Sequence, residues 1–99
     1  MIIVGGSVRI PENKVAELLP AAQTIIAATR KEAGCIVYSF AFDVVDKGLL
    51  RIYEEWESLA HLEAHLKQPH MLPWRAKLAE VGASDRKLKR FEADAGTPL

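Results

Sequence analysis

Two strand-like runs around a tight polar turn limit the possible folds of this chain more than any other feature. From Cys35 to Asp43 side chains alternate with period 2, Ile36, Tyr38, Phe40 and Phe42 on one face and Cys35, Val37, Ser39 and Ala41 on the other. From Leu49 to Trp56 an apolar run carries charges at alternate positions. Asp46-Lys47-Gly48 between them has the residues of a short turn, so the spacing predicts a β-hairpin.

The flanks read as further strands and helices. Ile2 to Ile10 is β-branched and apolar and predicts a first strand. Gly5-Gly6 in its middle marks a bulge, a tight packing contact, or a ligand lying against the backbone. Pro11 ends that strand and Asn13 is a candidate helix cap. Val15, Leu18, Leu19, Ala22, Ile25, Ile26 and Thr29 then follow helical spacing to about Lys31, with a kink expected near Ala16–Pro20, and Gly34 as the stop. After the hairpin, Ser58 caps a short helix with Leu59, Leu62 and Leu66 on one face. Pro69 stops it, a second helix restarts around Pro73 with Trp74, Leu78 and Val81 in phase, and Gly82 closes that one. Asp85 to Glu92 is charge-rich and predicts an edge strand, and residues 93–99 a polar tail.

The order β-α-β-β-α-β implies an α+β, ferredoxin-like fold: a four-stranded antiparallel sheet with helices on one face. Its 99 residues make one domain, 1–99, and leave nothing to cover the second face, so a homodimer is expected. Zero formal net charge and a pI near 6.8 argue against a nucleic-acid or membrane-surface role. An RNA-binding sheet of the same order needs basic and aromatic residues on its third strand, which here is acidic. No apolar run approaches the roughly 20 residues that cross a bilayer. Cys35 is the single cysteine, and no Lys or Arg precedes Arg9 as in a signal peptide, so the expected compartment is the cytoplasm.

The segment Glu54-Glu55-Trp56-Glu57-Ser58, running through His61, Glu63-Ala64-His65 and Pro69-His70-Met71, resembles the antibiotic biosynthesis monooxygenase family. More narrowly it is similar to the small bacterial quinol monooxygenases of that group. Glu32-Ala33-Gly34-Cys35 followed by Tyr38 is similar to the family's sequence at the start of its second strand. The resemblance implies a dimeric ferredoxin-like α/β barrel with a pocket between sheet and helices in each subunit. It also implies oxygenation of a phenolic, quinol- or anthrone-type molecule by dioxygen, without flavin, haem or metal. Haem-degrading relatives carry a tryptophan where this chain has His65 and an asparagine near Gly6, and both are absent here. Small-metabolite isomerases share the His and Pro-His pattern, and a non-catalytic ligand-binding dimer is the third alternative.

The residues themselves place any chemistry between Tyr53 and Trp74, which hold all three histidines and both tryptophans. No G-x-G-x-x-G or G-x-x-x-x-G-K-[ST] cradle is present, so no cofactor is expected. An oxygenase without a cofactor must take a proton from a substrate that can itself reduce dioxygen, hold its ring, and exclude water. His65, at the edge of the leucine stripe, is the candidate base; His70, Trp74, Tyr38 and Glu55 are the candidate substrate contacts. Glu54 and Glu55 face opposite sides of their strand, so at most one reaches a pocket. His61 reads as exposed, Trp56 as core, Arg51 as a salt-bridge partner and Cys35 as inert packing. No metal is expected: His61, His65 and His70 have histidine-chelate spacing, but no Cys or Asp cluster completes a site.

Overall fold

The most charged strand lies at one edge of the sheet and the most apolar one at the other. The computed structural model describes all 99 residues, in the order β1 (Ile2–Arg9), α1 (Val15–Thr29), β2 (Cys35–Phe42), β3 (Leu49–Trp56), α2 (Leu59–Leu66), α3 (Met71–Val81) and β4 (Ser84–Glu92). All pairings are antiparallel, with strand order β2-β3-β1-β4, and the helices cover one face. This is the ferredoxin-like α+β fold that the element order implied. No helix is long and apolar enough to cross a membrane.

Alternation along the central strands decides what is buried. β1 sends Ile2, Val4 and Val8 under the helices, and β3 sends Leu50, Ile52, Glu54 and Trp56. The apolar members fall into two clusters. The larger joins Val8, Leu18, Ile25, Leu50, Trp74 and Val81 between the sheet, α1 and α3. The smaller joins Ile2, Val4, Tyr38, Trp56 and Leu62 beneath α2. Burial of each large side chain contributes roughly 1.5–3 kcal/mol. At the hairpin, Asp43 Oδ2 accepts from the backbone N–H groups of Val45 and Asp46 at 3.0 and 2.8 Å, an Asx turn that sets the register.

Several local expectations are corrected. Asn13 does not cap α1: it lies within a 3-10 turn over Glu12–Lys14, and α1 begins after Lys14 without a side-chain cap. The chain starts to coil as soon as Pro11 ends the strand, its carbonyl accepting from Lys14 N–H at 2.9 Å. The restarted helix begins at Met71, so Pro73 sits in the first turn, where a missing N–H costs no helical bond. In β2 a register shift between Cys35 and Val37 breaks the simple alternation. Ile36 is thereby left exposed, and Cys35 packs against the smaller cluster. Of the glycine pair, Gly6 is explained by strand packing, while a side chain at Gly5 would meet nothing. Gly6 has φ +152°, and a Cβ there would fall on the carbonyl of Lys87 in β4, so Gly6 lets the edge strand close on β1.

Candidate active site

The seam between the two apolar clusters is polar, and four segments supply it. Strand alternation carries Glu54 inward between Ile52 and Trp56. Helix α2 begins at Ser58, whose side chain accepts from His61 N–H at 3.3 Å, and its buried positions are Leu62 and His65. The turn after α1 delivers Glu32. The break at Pro69 places His70 just ahead of α3.

These groups converge. Glu32 Oε2 lies 2.9 Å from His65 Nδ1 and 2.7 Å from His70 Nε2, with the Glu32 side chain itself nearly buried. A carboxylate only accepts, so both imidazoles donate to it, and no protein group bonds His65 Nε2. His65 is 1 % exposed and boxed by aromatic rings: Trp56 at a centroid distance of 4.7 Å and Tyr38, edge-on, at 5.2 Å. It borders a cavity of about 490 Å³ with thirteen lining residues, nine of them hydrophobic. Trp74, stacked on Phe40 at 5.3 Å, forms one aromatic wall, and Met71, Leu66 and Leu78 lie on the helix side.

Burial sets the electrostatics. The Glu54 carboxyl is pushed above its ordinary range because it is desolvated; the hydrogen bond from Trp56 Nε1, at 2.9 Å, pulls the other way. Burial also raises the Tyr38 hydroxyl, reinforced by the Glu54 charge, so the phenol stays a neutral donor. Cys35 is raised by desolvation and stays a thiol.

The candidate residues end in different places. His65, Trp74 and Tyr38 line the cavity, and His70 joins His65 through Glu32 without lining it. Glu55 does not reach the cavity. It sits on the open face of the sheet and accepts from the Tyr53 hydroxyl at 2.7 Å, whereas Glu54 is the carboxyl that faces inward. The reason is the alternation itself: Glu54 shares a face with Leu50, Ile52 and Trp56, and that face is the covered one. His65 is also more deeply placed than the edge of the stripe. It takes the buried position, while Leu66 is 42 % exposed. His61 packs on Gly34, and its Nδ1 meets the Ser58 hydroxyl at 2.8 Å. Arg51 pairs with Asp43 at 3.0 Å.

Glu32 was not among the sequence candidates. It lies 33 residues before His65 with no periodicity linking the two. It also revises the ligand count on which a metal was discounted, since donor atoms of Glu32, His65 and His70 lie within 4.8 Å of one another. Their 2.7–2.9 Å spacings are those of charge-assisted hydrogen bonds, in which the shared carboxylate satisfies both imidazoles without an ion.

Comparison with known proteins points the same way. The chain is 29% identical over 91 residues to the uncharacterised protein sll1783 of Synechocystis, covering 92% of this chain and 62% of that protein. It is 38% identical over 55 residues to the probable quinol monooxygenase YgiN of Escherichia coli, covering 48% of this chain and 53% of YgiN. The matches therefore span less than two-thirds of the length of these curated relatives. A solved structure from Deinococcus radiodurans, assigned to the antibiotic biosynthesis monooxygenases, superposes with a TM-score of 0.92 at 27% identity, over 100% of this chain and 98% of that one. A conserved protein of unknown function from Bacteroides thetaiotaomicron gives 0.83 at 29% identity, over 93% and 96%. The family pattern described as antibiotic biosynthesis monooxygenase matches residues 1–77, which include β1 to β3, α2 and every member of the Glu32–His65–His70 group. By fold, and by a family match over most of its length, the chain belongs to the antibiotic biosynthesis monooxygenase family.

Proposed function

We propose that the protein oxidises a planar phenolic molecule of the quinol or anthrone type with dioxygen, using no prosthetic group, and that His65 is the base. The observation that carries this reading is His65 itself: an imidazole in an aromatic, largely apolar cavity with Nδ1 held by Glu32 at 2.9 Å. Glu32 fixes the tautomer, so Nε2 takes the proton of the substrate hydroxyl. Trp74 and Tyr38 hold the ring, and His70 steadies the same Glu32 oxygen. The ionised substrate passes one electron to dioxygen, and the radical pair closes a carbon–oxygen bond. His65 returns its proton to the peroxide, which loses water to leave a carbonyl. One oxygen atom stays in the product and one leaves as water. The substrate supplies all four electrons, so no external reductant enters.

An oxygen electrode with a panel of hydroquinones and anthrones tests this. The expected result is one dioxygen consumed per substrate, faster than autoxidation and without accumulating hydrogen peroxide. Uptake no faster than in buffer across the panel overturns it; turnover without uptake favours an isomerase.

The same reading includes a homodimer in a reducing cytoplasm, consistent with the lone, unpaired Cys35. The open sheet face carries Ile3, Tyr53 and Phe91, with Tyr53 41% and Phe91 53% exposed. Arg51, Glu55, Lys87 and Lys89 lie among them in the strand register, a mixture suited to self-complementary packing. Sedimentation as a monomer at tens of micromolar would rule the dimer out.

A further inference from the structure

We propose that the ligand of this cavity carries an anionic group, a carboxylate or its equivalent, on its planar aromatic body, and that Arg75 and Arg86 receive it. The inference rests on the proposed function only for the flat aromatic body; the charge is argued from the cavity wall.

Among the thirteen lining residues, two are arginines, on different elements. Arg75 follows Trp74 on α3, and its Nη2 donates to the Leu66 carbonyl at 2.8 Å. That bond anchors one nitrogen of the guanidinium to the end of α2 and leaves its other donors without protein partners. Arg86 lies near the start of β4. There the register shifts between Ser7 and Arg9 of β1, and Asp85 takes a left-handed φ of 50°. Beyond this irregularity Arg86 and Leu88 both line the cavity. Neither arginine has a carboxylate within ion-pair distance. Eight of the thirteen Lys and Arg side chains lack an acidic partner, and Arg75 and Arg86 are the two of these that stand on the cavity wall. Two guanidiniums without acid partners on one mostly apolar cavity form a receptor for a flat molecule with one charged end, because guanidinium recognises a carboxylate through paired, charge-assisted hydrogen bonds.

Glu54 is the one carboxyl on the wall, and its Oε1 accepts from Trp56 Nε1. It offers a rival role for Arg86, which would then serve only to balance that buried acid. Ligand preference separates the two, since a residue that only balances Glu54 does not discriminate an anionic from a neutral ligand.

Calorimetric titration of the wild-type protein with a hydroxynaphthoic acid and with the matching naphthol tests the proposal without requiring turnover. The acid should bind roughly tenfold or more tightly than the naphthol, the scale of a good charge-assisted pair. Arg86→Gln and Arg75→Gln should each reduce the preference, and the double variant should erase it while the naphthol affinity stays unchanged. Both residues are exposed, so the variants should fold, and circular dichroism verifies that. Equal affinities in the wild type, a preference that survives in the double variant, or no saturable binding of the acid overturns the proposal. A protein that prefers the acid yet consumes no oxygen with any quinol sinks the oxygenase reading and leaves this one standing.

Discussion

Near its start β3 presents Arg51 to solvent, where it meets Asp43 at 3.0 Å; near its end it buries Glu54, which is 7 % exposed and bonded to Trp56 Nε1. Around the hairpin, Asp43 and Asp46 are lowered from the usual carboxylate range, Asp43 chiefly through the backbone N–H of Asp46 and Asp46 chiefly through Arg9. Glu54 is moved the opposite way by burial. Within eight residues one strand thus carries charge in two regimes. At the solvent end, ionised groups are satisfied cheaply and fix a turn. At the covered end, each polar group costs desolvation and persists only with a partner aimed at it. The proposed chemistry lies at the covered end, where burial rather than solvent sets the cost of each charge.

The largest expected effect separates these ends by activity. His65→Gln should lower quinol turnover by roughly 10² to 10⁴-fold, the usual worth of a general base, whereas Asp46→Ala should leave turnover unchanged. Steady-state oxygen uptake makes the comparison. Gln is preferred to Ala because His65 is enclosed by Trp56 and Tyr38 and truncation would open a void in the core.

Glu32→Gln should come next. It replaces a charged acceptor of two imidazole N–H groups with a neutral amide oxygen, weakening both bonds at a cost of roughly 1–3 kcal/mol in urea unfolding. If the midpoint does not move, the carboxylate is not the keystone of the seam.

Glu54→Gln should stabilise, with a definite pH dependence. Gln still accepts from Trp56 but removes a charge that is costly to bury. Where the carboxyl is protonated in both states, wild type and variant should differ little. As pH rises the unfolded chain ionises first, so the wild type loses stability relative to the variant until the folded carboxyl has ionised too. Melting temperatures between about pH 4 and pH 8 should therefore diverge upward in favour of the variant; a gap that closes with rising pH contradicts the burial argument.

At the hairpin, Asp46→Ala should shift the melting temperature only slightly, and less at high salt, since its pair with Arg9 is exposed. Smallest of all, dialysis against a chelator should change neither stability nor activity. A chelator-sensitive melting curve would mean that Glu32, His65 and His70 hold an ion after all.

Much of this was legible in the residues, for identifiable reasons. The hairpin followed from two period-2 runs around Asp46-Lys47-Gly48, and the start of α2 from Ser58. The sidedness of β3 could also have been read. Leu50, Ile52, Glu54 and Trp56 form one apolar row, and a carboxyl set in such a row faces inward, so the choice of Glu55 over Glu54 overlooked an available signal. The β2 irregularity gave no such sign, because Cys35 and Ile36 are both apolar and either can face the core.

What the chain alone determined is local: which segments are strands and helices, their order, and which side chains titrate near neutrality. The range of its information is one turn or one alternation, because periodicity reports only which residues share a face. Tertiary packing decided that Glu32 stands between His65 and His70, that His65 rather than Leu66 is buried, and that Arg75 and Arg86 border one cavity. Those facts depend on how α1, α2, α3 and β4 settle on the sheet, and the desolvation and hydrogen bonds that give them meaning exist only once the elements have closed together.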